Sequence, residues 1–281
     1  MICERFYIED LVENALSEDV GGGDITTRLT VPHDSRSIAT LTAKEAGIVA
    51  GMDVVHIVFE KVNAKIKCLS FVPDGNYVKA GDTIAAYEGS TRALLVGERV
   101  ALNFLQHMCG IATVAYRYTK LVEGTKARVI DTRKTTPGLR ILEKYAIRVG
   151  GAANHRFGLD DGILIKDNHI EAAGGITEAI NAARAGAPHT LRIEVEVVDL
   201  DGLREAIDAG AEAVMLDNMN CDTMREAVKI ADGRVILEAS GGITEDNVAE
   251  VAATGVDLIS SGALTHSVKA LDISLNIKAI K

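Results

Sequence analysis

A chain of 281 residues, 47% of them hydrophobic, can build one large domain or two smaller ones with their own cores. With 25% charged residues, 26 Gly and 4 Pro, the composition fits neither a disordered chain nor a collagen-like one. A formal charge of -10 argues against a surface that wraps nucleic acid, because phosphate binding needs positive faces.

The first hundred or so residues predict an α+β domain with an antiparallel sheet. Residues 38–43 and 65–71 are short β-branched or alternating runs of the kind that form strands with one wet face. Turn residues at Pro73-Asp74-Gly75-Asn76 and Gly81-Asp82 then predict an antiparallel hairpin region over 78–87. Residues 92–122 carry Leu94, Leu95, Val100, Leu102, Leu105 and Met108 without a proline, which suits a long helix closing the first domain. We expect that domain over 1–112 and a second over 113–281, with the C-terminal tail packing back on the first.

From residue 128 onward short apolar strands alternate with amphipathic helices. The strands are expected at 128–131, 162–166, 191–196, 213–217, 235–238 and 256–260, with helices such as 203–209 and 245–253 between them. That rhythm means a parallel sheet covered on its outer face. Polar residues gather at the C-terminal ends of the strands, where barrel active sites are assembled, so the expected fold is a parallel α/β barrel, TIM-like and incomplete. The pentapeptide Gly-Gly-Ile-Thr-Glu occurs at 174–178 and again at 241–245, which predicts two helix starts with Thr as N-cap.

Residues 128–156 contain seven Lys or Arg against two acids, a local balance of +5 in an acidic chain. Such a cluster wants an anion. Arg133, Lys134, Arg156 and Lys166, with His155 beside them, are candidate clamps for carboxylate or phosphate, whereas the spacing of Arg140, Lys144 and Arg148 predicts a solvated helix stripe. His155 and His169 can each donate to an anion or serve structure; the other five histidines read as structural or surface. Glu196 and Asp217 end neighbouring strands and can hold Mg²⁺, although alternation puts Glu194 on the same face as Glu196. The small residues of Ser240-Gly241-Gly242 and Ser261-Gly262-Ala263 suit a phosphate cradle after the last two strands. No G-x-S-x-G, Cys–His pair or metal-ligand His spacing is present, which disfavours covalent nucleophilic catalysis.

The four cysteines, Cys3, Cys68, Cys109 and Cys221, are far apart, so reduced thiols are expected. No apolar run approaches the roughly 18 residues of a membrane span, and the N-terminus lacks the basic-then-apolar plan of a signal peptide; both predict a soluble, cytoplasmic protein.

Several strings, taken together, resemble the quinolinate phosphoribosyltransferase family, also called nicotinate-nucleotide pyrophosphorylase (carboxylating). They include Gly23-Asp24-Ile25-Thr26-Thr27, Glu98-Arg99, Asp131-Thr132-Arg133-Lys134-Thr135-Thr136-Pro137-Gly138, Asn154-His155-Arg156, Lys166-Asp167-Asn168-His169, Glu194-Val195-Glu196-Val197, Leu216-Asp217-Asn218 and Glu238-Ala239-Ser240-Gly241-Gly242-Ile243. The match runs in order from about residue 15 to about 275.

The resemblance implies a pentosyltransferase that joins quinolinate to 5-phosphoribosyl-1-pyrophosphate with Mg²⁺, releasing pyrophosphate and CO₂ and yielding nicotinate mononucleotide for NAD biosynthesis. It implies that Arg99, Thr132, Arg133, Lys134, His155, Arg156 and Lys166 bind quinolinate or pyrophosphate. It places Glu196 and Asp217 at the ribose and the metal, and the two Gly-rich loops at the 5-phosphate. Lys134, Lys166, Glu196 and Asp217 are the catalytic set it implies. It also implies a homodimer, or a hexamer built from dimers, in which Arg99 enters the neighbouring subunit's site. Cys109 departs from the family, which more often has Ser there. Three other readings compete: a transferase of this fold acting on another aromatic acid, a barrel isomerase or synthase with Glu196 or Asp217 as base, and a non-catalytic module related to carrier hairpins.

Overall fold

The structure, a computed structural model, describes residues 5–280. Cys3 therefore lies outside the described residues; Cys68, Cys109 and Cys221 are free thiols. Burial pushes the Cys109 thiol up to about 12, which keeps it protonated and unreactive.

The chain opens with α1 (Arg5–Val20), α2 (Ile25–Thr30), β1 (Arg36–Ala43), β2 (Gly47–Ile48), α3 (Met52–Val62), β3 (Lys67–Phe71), β4 (Tyr77–Val78), β5 (Thr83–Ser90) and α4 (Thr91–Leu121). It continues through β6 (Arg128–Ile130), α5 (Arg140–Val149), β7 (Ile163–Ile165), α6 (Asp167–Ala173), α7 (Ile176–Gly186), β8 (Ile193–Val197) and α8 (Leu200–Asp208). The last elements are β9 (Ala213–Asp217), α9 (Cys221–Ala231), β10 (Ile236–Ser240), α10 (Val248–Ala252), β11 (Leu258–Ser260) and β12 (Ile273–Ile280). Two compact units result: one of Met1–Val114, Ile141–Gly150 and Val268–Lys281, the other of Ala115–Arg140 and Gly151–Ser267. Among the described residues no helix is long and apolar enough to cross a membrane.

In the first unit an antiparallel sheet runs β12-β1-β5-β3. Strict alternation of buried and wet residues along β1, with Leu41 and Ala43 fully buried, turns one face to the core. The expected hairpin over 78–87 is corrected. β4 pairs with β2 while β5 pairs with β1 and β3, so the Gly81-Asp82 corner connects strands of two sheets. That corner is closed by Lys79 N–H donating to Asp82 Oδ2 at 2.8 Å. The start of α3 is capped from a distance, since the Asp74 carboxylate accepts from Gly51 N–H at 2.8 Å and Met52 N–H at 3.1 Å.

The stripe expected of Arg140, Lys144 and Arg148 is also corrected. Lys144 is 1% exposed beside the fully buried Glu143 and Ala146, because most of the circumference of this ten-residue helix is enclosed and no separate wet face remains. Of the three, only Arg148 is exposed.

The second unit is the expected incomplete α/β barrel. Its six parallel strands run β6-β11-β10-β9-β8-β7, and Ala153 makes a lone parallel bridge to Ile130 on the β6 side of the gap between β6 and β7. Central strands are buried on both faces, as in the adjacent Val214 and Met215 of β9 at 0% and 5% exposure, which is why they read as apolar runs. Helix starts are local: Asp199 accepts from Gly202 N–H and Asn220 from Thr223 N–H at 2.8 and 2.9 Å. The expectation that Thr177 and Thr244 are N-caps is corrected, because Gly175 caps α7 and Asn247 caps α10. In the second copy Asn247 instead accepts from Thr244 N–H at 2.9 Å, in the turn before the helix.

Candidate active site

The C-terminal ends of the barrel strands gather most of the candidate residues. Thr132, Arg133 and Lys134 follow β6, and their backbone is held in three places. Lys134 N–H donates to Thr132 Oγ1 at 3.0 Å, the Lys134 carbonyl accepts from Thr265 Oγ1 at 2.7 Å, and the Arg133 carbonyl accepts from Arg140 Nη2 at 3.4 Å, with Arg140 Nε also reaching Thr135 Oγ1 at 2.9 Å. Arg140 also donates to the Phe157 carbonyl at 3.1 Å, so it organises this loop and does not face solvent as expected. Lys134 itself is exposed.

Asp131, fully buried at the end of β6, accepts from His155 N–H at 2.8 Å and from Asn154 Nδ2 at 2.7 Å. One carboxylate thus fixes the segment that carries His155 and Arg156. Arg156 donates through Nη1 to the Gly162 carbonyl at 2.9 Å, while its Nε is buried without a partner, as is the Nε of Arg133. Burial and the neighbouring Arg133 cation lower the Arg156 guanidinium below its ordinary value. Two like charges with unsatisfied buried donors, side by side, are costly unless an anion joins them.

Lys166 ends β7 and donates through Nζ to Glu196 Oε2 on β8. Its N–H donates to His169 Nδ1 at 2.9 Å, so His169 serves the start of α6. Asp217 ends β9, where Oδ2 accepts from Asn218 Nδ2 at 2.7 Å. Asn218 adopts a left-handed backbone, φ 54°, and its side chain fills the space beside Gly241, where a Cβ would collide with Asn218 Oδ1. Gly241 must therefore be glycine, on steric grounds and because its φ is 94°. At Gly262 a Cβ would meet His266 Cδ2 at 2.7 Å and Lys134 Cδ at 3.0 Å, so this loop lies directly under the Lys134 side chain. Ser240, Gly242 and Ala263 remain at least partly open. Ser261 is different: it is 3% exposed and its hydroxyl donates to the Ile243 carbonyl at 2.9 Å, which occupies it structurally.

The carboxylates of Glu196 and Asp217 each spend one oxygen on a neighbour. Two hard oxygen ligands on adjacent strands fit Mg²⁺, which takes one or two carboxylates and completes its shell with water and phosphate. Arg99 is exposed on the part of α4 that belongs to the first unit. The sequence names Asp131 and Asn218 only within strand-end strings, reads Arg140 as part of a solvated stripe and gives no role to His266. The carboxylate next to the Arg133-Lys134 pair was the one available signal, for Asp131.

Comparison with known proteins settles the family. The model of the quinolinate phosphoribosyl transferase C-terminal domain matches residues 111–276 and that of the N-terminal domain matches residues 24–109. The chain belongs to the quinolinate phosphoribosyltransferase family. It is 44% identical over 281 residues to nicotinate-nucleotide pyrophosphorylase [carboxylating] of Mycobacterium leprae, covering 98% of this chain and 99% of the relative. It is 40% identical to quinolinate phosphoribosyltransferase [decarboxylating] 2b, mitochondrial, of Nicotiana tabacum, covering 97% and 82% of the two. The crystal structure of NadC from Streptococcus pyogenes superposes with a TM-score of 0.95 at 42% identity, covering 98% of each chain. Both units of this family member are therefore accounted for by relatives of the same layout.

Proposed function

We propose that this chain transfers the phosphoribosyl group of 5-phosphoribosyl-1-pyrophosphate to quinolinate and decarboxylates the product, giving nicotinate mononucleotide, pyrophosphate and CO₂ for NAD biosynthesis. The observation that carries the reading is the pair Arg133 and Arg156, each with a buried, unbonded Nε. A pyridine dicarboxylate offers what they lack, through charge-assisted hydrogen bonds.

The ring nitrogen of quinolinate forms a bond to ribose C1′ as the bond from C1′ to the pyrophosphate oxygen breaks. The C1′ centre passes through a cationic state, which calls for charge placement and orientation without a protein nucleophile. Lys134 stands above the Gly262 loop, where a departing pyrophosphate or a 5-phosphate would lie. Lys166 holds Glu196 toward the ribose, and Asp217, held by Asn218, faces it from the next strand. Bound Mg²⁺, held by Glu196 and Asp217 with substrate oxygens, would neutralise charge on the pyrophosphate. The alkylated ring nitrogen is cationic, so it stabilises the electron pair left on the adjacent carbon when the carboxylate leaves as CO₂; a proton then takes its place.

The same reading makes the enzyme a cytoplasmic homodimer, or a hexamer of dimers, with Arg99 reaching a neighbour's site. The exposure of Phe6, Ile25 and Leu29 at 81, 61 and 77% supports a subunit contact on the first unit. The deciding assay supplies quinolinate or nicotinate with 5-phosphoribosyl-1-pyrophosphate, with Mg²⁺ or excess chelator. Turnover of quinolinate in preference to nicotinate, abolished by the chelator, is expected. Equal turnover of both acids would overturn the substrate assignment, and full activity in chelator the metal. For Arg99, mixed dimers of Arg99→Ala and Lys134→Ala chains should recover activity in up to about half their sites. No recovery in verified mixed dimers would mean each chain builds its own site.

A further inference from the structure

Beneath the polar rim, the barrel interior holds a cluster around His155 whose two carboxylates, Glu194 and Glu238, the reaction above does not use. A cavity of about 670 Å³ opens among the N-terminal strand residues Arg128, Ala213, Ile236 and Leu258 and reaches His155, Glu194 and Glu238. One imidazole nitrogen and one oxygen from each carboxylate lie within 4.8 Å of one another, and Glu238, 1% exposed, keeps its Oε1 without a partner.

Such a set invites a metal ion, but the imidazole is already committed. His155 Nδ1 accepts from Arg156 N–H at 2.7 Å, so in the neutral ring the proton sits on Nε2. That is the nitrogen aimed at the carboxylates, 3.2 Å from Glu194 Oε2 and 3.7 Å from Glu238 Oε2. A metal would need a lone pair where the ring carries hydrogen. The arrangement is instead that of a ring pinned on both edges, by a backbone donor at Nδ1 and a carboxylate acceptor at Nε2.

We propose that Glu194, backed by Glu238, is the positioning residue that holds His155 in its Nε2–H tautomer and so sets where the adjacent Arg156 guanidinium meets the dicarboxylate substrate. The inference rests on the reaction assigned above for its kinetic consequence, though not for its structural one. Asp131 grips the backbone of this segment and Glu194 grips the ring. Without the second grip the imidazole turns about its side-chain bonds, the Arg156 N–H loses its acceptor, and the anion pocket loses its register. Glu238 fits beside Glu194 because burial, with the Glu194 charge next to it, raises the Glu238 carboxyl and favours its neutral form.

The test compares Glu194→Ala with Glu194→Gln, whose amide oxygen can still accept from Nε2–H. Glu194→Ala should raise KM for quinolinate by about tenfold or more with KM for 5-phosphoribosyl-1-pyrophosphate within about twofold, and Glu194→Gln should restore most of the loss. Nitrogen-15 spectra of histidine-labelled protein, with His155 assigned by difference from His155→Asn, should show Nε2 protonated and Nδ1 bare in the native chain and in Glu194→Gln, and a mixture in Glu194→Ala. A native Nδ1–H tautomer, unchanged quinolinate KM in Glu194→Ala, or equal losses in Glu194→Ala and Glu194→Gln would each overturn the proposal. If the native enzyme fails to turn over quinolinate at all, the reaction assignment falls, and the spectra still decide the tautomer.

Discussion

Thr265 donates its hydroxyl hydrogen to the carbonyl of Lys134 at 2.7 Å, across 131 residues of sequence. This bond ties the loop after β6 to the segment after β11, so the backbone beneath one candidate catalytic lysine depends on a threonine with no chemistry of its own. Replacing Thr265 by Val keeps the shape and removes the donor. We expect the variant to stay folded and kcat to fall by about three- to tenfold, as positioning losses of roughly 1 kcal/mol do. A kcat equal to that of the native enzyme would show that the Lys134 loop holds itself.

Gly241 and Gly242 look equivalent in sequence and differ in space. A Cβ on Gly241 would collide with Asn218, while one on Gly242 meets nothing within 4 Å. Both have positive φ, so both alanine variants pay backbone strain, about 1 kcal/mol or more. Gly241→Ala alone should also displace Asn218 from Asp217 and raise KM for the phosphoribosyl donor. Steady-state kinetics of the two variants separate the effects; matching KM values would rule out the displacement.

Burial next to Glu194 raises the Glu238 carboxyl well above its ordinary value. In the unfolded chain that carboxyl ionises near the usual 4.3, whereas the folded chain keeps its proton, so the unfolded state binds fewer protons as pH rises and stability drains away. Glutamine imitates the protonated acid and has nothing to lose. Glu238→Gln should therefore melt at roughly 2–4 °C above the native chain at pH 7 and close to it at pH 4. A gap that is the same at both pH values would refute the assignment.

His56 carries the opposite sign. Burial lowers its imidazole below the ordinary histidine value, and its Nδ1 lies 2.6 Å from the Tyr87 hydroxyl. Below an unfolded value of about 6.5 the denatured chain takes up a proton that the folded chain refuses, so this contribution is present at neutral pH and lost as pH falls. Urea midpoints at pH 7.5 and 5.5 should drop on acidification, and drop less for His56→Gln. Parallel drops would exclude His56 as a source.

The parts legible in the sequence were those whose cause is local. β9 could be read because both of its faces are buried, giving an unbroken apolar run that stops at Asp217. Lys166 and Glu196 could be placed because a polar residue at the end of such a run has nowhere to go except the rim. What stayed hidden depends on distant partners. Nothing near Arg140 says that it serves Thr135 and Phe157, nothing near Ser261 says that its hydroxyl is spent on Ile243, and Lys144 reads as a wet helix position until the surrounding chain encloses it. Asn218 is hidden for another reason, since a left-handed asparagine has no spelling of its own.

The pairing of β12 with β1 matches Arg36 to Ile280 and Ala43 to Ile273. A ribosome delivers β1 early and its neighbour only after every strand of the barrel has emerged. Through most of synthesis the first sheet therefore waits with a bare edge at β1, open to mispairing, while the barrel strands can already close on one another. Assembly of the first unit is the slow, non-local event, so its completion, and with it the burial of β1, should lag the barrel both on the ribosome and after dilution from denaturant.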